Sequence, residues 1–89
     1  MEKIKVVLSM DVRRRTSRWN NVFFRTYFRK KKREEVQVVF WEEEFTYEQL
    51  MYIEKLKAGD KIIIIADYDL NGRCTARELL EIVGTKKFY

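Results

Sequence analysis

Aromatic and cationic side chains alternate between Asn20 and Glu34, in the segment NNVFFRTYFRKKKRE. Successive side chains of an extended chain point to opposite faces, so Phe23, Arg25, Tyr27 and Arg29 share one face. The alternate positions form a mostly apolar set suited to a core: Val22, Phe24, Thr26 and Phe28. Rings stack on unpaired bases, and arginines between them contact phosphates or lie flat on a base. The face that carries Phe23, Arg25, Tyr27 and Arg29 therefore predicts binding of single-stranded nucleic acid.

Neighbouring segments are predicted to extend this face. Trp41 and Val39 share the outer side of a following strand, VQVVFWE, and the preceding loop RRRTSRWNN supplies arginines and a further ring. The charged turn after the aromatic run is a mobile electrostatic rim. The predicted nucleic-acid-binding residues are Arg14, Arg15, Arg18, Trp19, Phe23, Arg25, Tyr27, Arg29, Lys30, Lys31, Lys32, Arg33 and Trp41. Two alternatives stay open, in which Phe23 packs under a loop or Trp41 packs against the helix.

The charge of the chain is strongly polarised along the sequence. Ten Lys or Arg and no acid lie between Val12 and Arg33, whereas seven Glu and no Lys or Arg lie between Glu34 and Glu54. The whole chain carries +5, and the part outside the basic block carries 9 − 14 = −5. This polarity indicates an anionic polymer on one face, and the alternative is a solvated charge run without a ligand.

Composition limits the class of protein. Eighty-nine residues predict one domain, residues 1–89, without a membrane span or signal peptide. One cysteine, Cys74, favours a cytoplasmic protein without an intramolecular disulfide. Histidine is absent, and no phosphate loop or zinc cluster is present, so we expect no enzyme activity and no cofactor. The absence of Pro and the abundance of Lys, Arg, Glu and Ile resemble hyperthermophile usage, such as that of an archaeon or its virus.

Periodicity gives the order of elements as strand, strand, strand, helix, strand and a last element. The first strand, KIKVVLSMDVR, places alternate apolar residues on one face: Ile4, Val6, Leu8, Met10 and Val12. RRTSRWNN is predicted to be a loop, VFFRTYFRK and VQVVFWE the next two strands of an antiparallel meander, and KKREE the turn between them. TYEQLMYIEKLKAG is predicted to be a helix from Thr46 as N-cap to Gly59 as stop. DKIIIIADY, with Ile62–Ile65 in the core, is a strand, and RCTARELLEIV is open between strand and helix.

The region from VQVVFW through LKAGDKIIIIADYDLNGRCTARELLEI resembles OB domains of the tRNA-anticodon-binding and single-stranded-DNA-binding replication-protein kind. The shared features are a hydrophobic third strand followed by a helix, the pair Gly59-Asp60 before the fourth strand, and the closing segment TARELLEIV. The resemblance covers about Lys3 to Val83. It implies an all-β fold with one helix, a five-stranded barrel of order β-β-β-α-β-β whose second and third strands face the ligand. The first strand lacks the bending glycine, so we expect a bulge near Ser9 or Asp11.

The leading hypothesis is a single OB-fold domain that binds single-stranded DNA, in preference to RNA, with little sequence preference, in replication or repair. The main alternative is a protein-interaction OB subunit whose aromatic face docks on a larger partner. The sequence leaves open a homo-oligomer or a larger replication or repair complex.

A calcium loop competes with the last hairpin of this fold. DYDLNGRCTARE fits the EF-hand pattern, with ligands from Asp67, Asp69, Asn71, the Arg73 carbonyl and Glu78. The entering segment AGDKIIIIA is a poor helix and a good strand, and no second EF-hand is present. We therefore favour a β-hairpin whose Asp, Asn and Gly supply the turn.

Overall fold

A computed structural model describes all 89 residues, which form seven strands and one α-helix. In chain order they are β1 (Glu2–Val7), β2 (Arg13–Thr16), β3 (Val22–Lys31), β4 (Glu34–Trp41), α1 (Tyr47–Ile53), β5 (Lys61–Tyr68), β6 (Cys74–Ile82) and β7 (Lys86–Lys87). A 3-10 turn, Glu42–Glu44, precedes α1. No helix has the length and apolar character needed to cross a membrane.

The strands form one unclosed sheet in the order β1-β5-β6-β4-β3-β2, with β7 added beside β6. All neighbours are antiparallel except β4 and β6, which run parallel at Val38–Cys74 and Val39–Thr75. The prediction of a mostly β chain with one helix is confirmed. The structure has seven strands where the sequence predicted five, because Arg13–Thr16 forms β2 and Lys86–Lys87 forms β7.

The first predicted strand is interrupted between Leu8 and Val12, where a bulge was expected and the chain instead leaves the strand. Leu8 forms an isolated antiparallel bridge to Phe28, and the Ser9 amide donates to the Tyr27 carbonyl at 2.8 Å. These contacts turn the chain from β5 towards β3. Met10, predicted to face the core, is 40% exposed because the chain has left the strand there.

The segment RRTSRWNN was predicted to be a loop throughout, and this is wrong for its first residues. Arg13–Thr16 pairs antiparallel with Val22–Arg25 of β3, although all four β2 side chains are exposed. Pairing with β3 satisfies backbone groups that would otherwise need water, and this does not require an apolar pattern. The loop is limited to the residues between β2 and β3.

The predicted side-chain register of the β3–β4 pair is confirmed. Phe24, Thr26 and Phe28 are buried, whereas Phe23 and Tyr27 are half-buried on the opposite face. The β4 residues facing the same core are Val36, Val38 and Phe40. The prediction that Ile62–Ile65 lie in the core is only partly correct. Ile62 and Ile64 are in the core, whereas Ile63 and Ile65 lie half-buried on the other face of β5.

Helix α1 begins as predicted and ends early. The Thr46 hydroxyl accepts a hydrogen bond from the Gln49 amide, and the Gln49 side chain accepts one from the Thr46 amide, both at 3.1 Å. The Glu54 amide still donates four residues back to Leu50, but the amides of Lys55 and Leu56 donate three residues back, so the regular helix ends at Ile53. Gly59, the predicted stop, lies in a later turn with φ of +94°, where its amide donates to the Leu8 carbonyl at 2.8 Å.

Candidate nucleic-acid interface

The outer face of strands β2, β3 and β4 carries three of the four rings and three of the nine cations that were predicted to bind nucleic acid. Residues paired directly across antiparallel strands share a face, and the register pairs Arg13 with Arg25, Arg15 with Phe23, and Phe23 with Trp41. We call this surface the ringed face. Its members are Arg13, Arg15, Phe23, Arg25, Tyr27, Arg29, Glu35, Gln37, Val39 and Trp41.

Phe23 and Trp41 form one continuous aromatic platform. Their ring centroids are 5.0 Å apart at an interplanar angle of 49°, and both side chains are half-buried. Phe23 packs on Trp41 across the strand pair, on the outer face where the sequence placed both rings. Each ring keeps an accessible part on which a base can stack.

Tyr27 lies further along β3 in a shallow groove bordered by cations. The groove is lined by Met10, Asp11, Arg13, Arg15, Arg25, Tyr27 and Glu35. Tyr27 is half-buried there and lies opposite Gln37 of β4. The groove therefore combines a flat ring with three arginines and two carboxylates, and a base and its flanking phosphates suit the ring and the arginines.

Arg14 does not belong to the ringed face. It lies opposite Phe24, whose side chain is directed to the core, and it borders a groove beside α1. Arg13, which the predicted site omitted, occupies the ringed face instead. Period-two alternation within RRRT would have found it, but only if that segment had been assigned to a strand.

The cations of the basic hairpin between β3 and β4 do not all lie on the ringed face. The register is irregular between Arg29 and Lys31, and the Lys30 ammonium lies 5.7 Å from the Tyr68 ring centroid, away from the ringed face. Arg29 stays on that face and pairs with Glu35 at 3.7 Å. The remaining cations, Lys31, Lys32 and Arg33, are exposed at the hairpin end, where a rim was predicted.

The loop from Ser17 to Asn21 presents an exposed tryptophan. The Ser17 hydroxyl accepts hydrogen bonds from the amides of Trp19 at 3.3 Å and Asn21 at 3.2 Å, and Asn20 adopts a φ of +63°. Trp19 is 76% exposed, with the Arg18 guanidinium carbon 5.9 Å from its ring centroid. The structure places both beside the edge of the ringed face and in contact with no other ring.

Nearly all cations of the basic block lack an internal counter-charge. Among the ten, only Arg29 forms an ion pair with a carboxylate. In the following acidic segment, Glu35 forms that pair, whereas Glu44 pairs with Arg77 and Glu48 with Lys86. The nine unpaired cations therefore depend on solvent ions or on an external anion.

The turn between β5 and β6 forms the far border of the ringed face. A groove there is lined by Phe23, Gln37, Val39, Trp41, Asp69, Arg73, Cys74 and Thr75. Val39 is only 9% exposed, because β6 runs along β4 at this point. The Arg73 amide, together with its guanidinium, lowers the pKa of Asp69 and keeps that carboxylate charged. The predicted site included no residue of this turn.

The same turn forms the β-hairpin that the sequence favoured over the calcium loop. β5 and β6 pair on both sides of it, so the flanking segments are strands, and RCTARELLEIV is strand from Cys74. One Asp69 oxygen accepts the amides of Asn71 and Arg73 at 2.9 Å, and Gly72 has a φ of +78°. Asp67 bonds to Arg77 at 2.9 Å. Glu78 lies opposite Ile65. It is five residues beyond Arg73, and this places the two residues about 16 Å apart along an extended strand.

We expect about 1 mM calcium to leave the melting temperature unchanged, because no calcium-binding helix–loop–helix is formed. Thermal unfolding followed by circular dichroism, with calcium or with chelator, measures this. Glu78→Gln is the control variant. A calcium-dependent rise in melting temperature that Glu78→Gln removes would contradict the hairpin assignment.

Comparison of this chain with protein-family models, with curated proteins and with solved structures finds no match.

Proposed function

We propose that the chain is an OB-type barrel that binds single-stranded nucleic acid, DNA in preference to RNA, on the ringed face. The strand order supports the barrel. β1 pairs with β5 at one end of the sheet, β2 pairs with β3 at the other, and only five residues separate β1 from β2. The Leu8–Phe28 bridge and the Ser9–Tyr27 hydrogen bond join this one segment to β3, and the Leu8 amide donates to the carbonyl of Asp60, just before β5, at 2.8 Å. In this arrangement, β1 and β2 are the two halves of the first OB strand.

The observation that carries the function is the set of unpaired cations interleaved with accessible rings on one sheet face. Arg13, Arg15 and Arg25 line the same groove as Tyr27, and none of the three forms an ion pair with a carboxylate. A run of phosphates supplies the missing counter-charge along the same line on which the rings lie. The aromatic rings then take up the bases between those phosphates.

Single strands fit this face better than a duplex, because stacking requires bases that are splayed out of their pairs. Every base has a π-face, so stacking on Phe23, Tyr27 and Trp41 is tolerant of sequence. Protection or presentation of single strands during replication or repair is the role that such binding supports.

Titration of fluorescently labelled single-stranded DNA, single-stranded RNA and duplex DNA tests this proposal, at about 50 mM and about 300 mM salt. We expect micromolar or tighter binding of single strands, weakened by salt, and weaker binding of the duplex. Arg14→Ala and Arg15→Ala form a matched pair within β2, since Arg14 lies on the other face. Arg15→Ala should reduce the affinity and Arg14→Ala should not. Absence of binding to all three nucleic acids would favour the protein-interaction alternative.

A further inference from the structure

A second surface groove lies on the other side of β3, between that strand and α1. Its apolar part consists of Phe24, Tyr47, Leu50 and Met51, and Glu42, Glu54 and Arg14 stand at its borders. Tyr47 is 81% exposed and Met51 is 46% exposed. We call it the helix groove.

The helix groove has an acidic border without internal partners. Five glutamates and no Lys or Arg lie between Glu42 and Glu54. Glu44 pairs with Arg77 and Glu48 pairs with Lys86, whereas Glu42, Glu43 and Glu54 form no ion pair. Exposed apolar side chains bordered by unpaired carboxylates match a segment that is aromatic or aliphatic at its tip and cationic beside it.

The chain carries such a segment in the loop between β2 and β3. Trp19 is largely exposed, and the Arg18 guanidinium lies against its ring without a carboxylate partner. We propose that a second copy of this chain seats its Trp19 in the helix groove and places its Arg18 beside Glu42 and Glu54. Tryptophan and arginine are the side chains most enriched among residues that dominate binding energy at interfaces.

Reciprocal exchange around a two-fold axis is the arrangement that this placement favours. The loop connects β2 to β3, and the groove is bordered by Arg14 of β2 and Phe24 of β3, so both lie at the same edge of the sheet. A two-fold axis beside this edge brings each loop to the other copy's groove and closes at a dimer. Direct pairing of the two β2 edges is opposed by their arginines.

Sedimentation of the purified chain without nucleic acid tests this inference, which goes beyond the proposed function and does not depend on it. We expect a concentration-dependent species of 22.0 kDa, twice the 11.0 kDa of one chain, at about 50 mM salt, and its dissociation at about 500 mM. Glu54→Arg and Arg18→Glu should each weaken association about tenfold or more, and the double variant should restore it. A chain that stays at 11.0 kDa, or a double variant without rescue, would overturn the proposal.

Fluorescence locates the contact independently. The chain has two tryptophans, so Trp41→Phe leaves Trp19 as the single reporter. Its emission should shift to shorter wavelength as the dimer forms, and Met51→Glu should abolish both the shift and the dimer. Leu70→Glu is the matched control, because Leu70 is fully exposed in the β5–β6 turn and outside the groove. If the chain is monomeric but binds a short basic peptide containing tryptophan in this groove, the occupant is a different protein and the proposal fails.

Discussion

Phe28→Ala is expected to lower the free energy of unfolding by about 3–5 kcal/mol, the usual cost of deleting a buried phenylalanine ring. Phe28 is 3% exposed in the main core and opposes Val36 across the strand pair. It also bridges to Leu8, where the first strand crosses from β5 to β3. The cavity would therefore lie where the chain passes from β1 to β2, and chemical denaturation measures its cost.

Tyr27→Ala is the control for this prediction, since it removes the adjacent ring from the opposite face of the same strand. Tyr27 is half-buried, and its backbone carbonyl accepts the hydrogen bonds from Ser9, which the substitution retains. We expect a loss of about 1 kcal/mol, in the range of ordinary substitutions. A large loss for Tyr27→Ala together with a small one for Phe28→Ala would mean that the β3 register is shifted by one residue in solution.

The β3–β4 pair could be predicted from sequence because each strand has one apolar face and one mixed face, and period two then fixes which side chains are buried. The same argument separated Phe24 and Phe28 from Phe23 and Tyr27. The N-cap at Thr46 and the turn at Asp69–Gly72 could also be predicted from sequence. Both depend on side-chain hydrogen bonds and glycine geometry among residues that are close together in the chain.

The features that the sequence failed to predict depend on contacts between distant segments. β2 has four exposed polar side chains, so its strand structure comes only from backbone pairing with β3. The side on which Lys30 lies depends on a register irregularity that the run RKKKR does not encode in any visible pattern. The border formed by Asp69 and Arg73 depends on the parallel contact of β6 with β4, which joins segments more than thirty residues apart.

The early end of helix α1 is another feature that could not be predicted from sequence. Leu50, Ile53 and Leu56 have helical spacing, but only the first two fall in or at the end of the regular helix. Leu56 reaches the core from the following turn, which is held by the bond from the Val12 amide to the Leu56 carbonyl at 3.0 Å. Apolar spacing therefore indicated which residues are buried, and it did not indicate where the helix ends.

Aromatic and cationic residues of the ringed face should have separable effects on nucleic-acid binding. Tyr27→Ala and Trp41→Ala are each expected to weaken binding of single-stranded DNA by about 1–3 kcal/mol and to leave its salt dependence nearly unchanged, because stacking releases no counterions. Trp41→Ala also removes the contact with Phe23, which is worth about 0.5–1.5 kcal/mol to the fold, so affinity must be measured well below the melting temperature.

The combined replacement of Arg13, Arg15 and Arg25 by alanine should have the opposite signature. Each phosphate contact contributes roughly 0.7 to the slope of log affinity against log salt for single strands, so losing three should flatten the slope by about 2.

Replacing Lys31, Lys32 and Arg33, at the exposed hairpin end, should reduce affinity at low salt and flatten the slope in the same way. Lys30→Ala alone should change the slope least, because its ammonium lies over Tyr68 and away from this face. Fluorescence titrations at several salt concentrations measure both quantities for every variant. If Tyr27→Ala flattens the slope while the triple arginine variant keeps it, then phosphates do not lie along β2 and β3, and the polymer crosses the sheet on a different path.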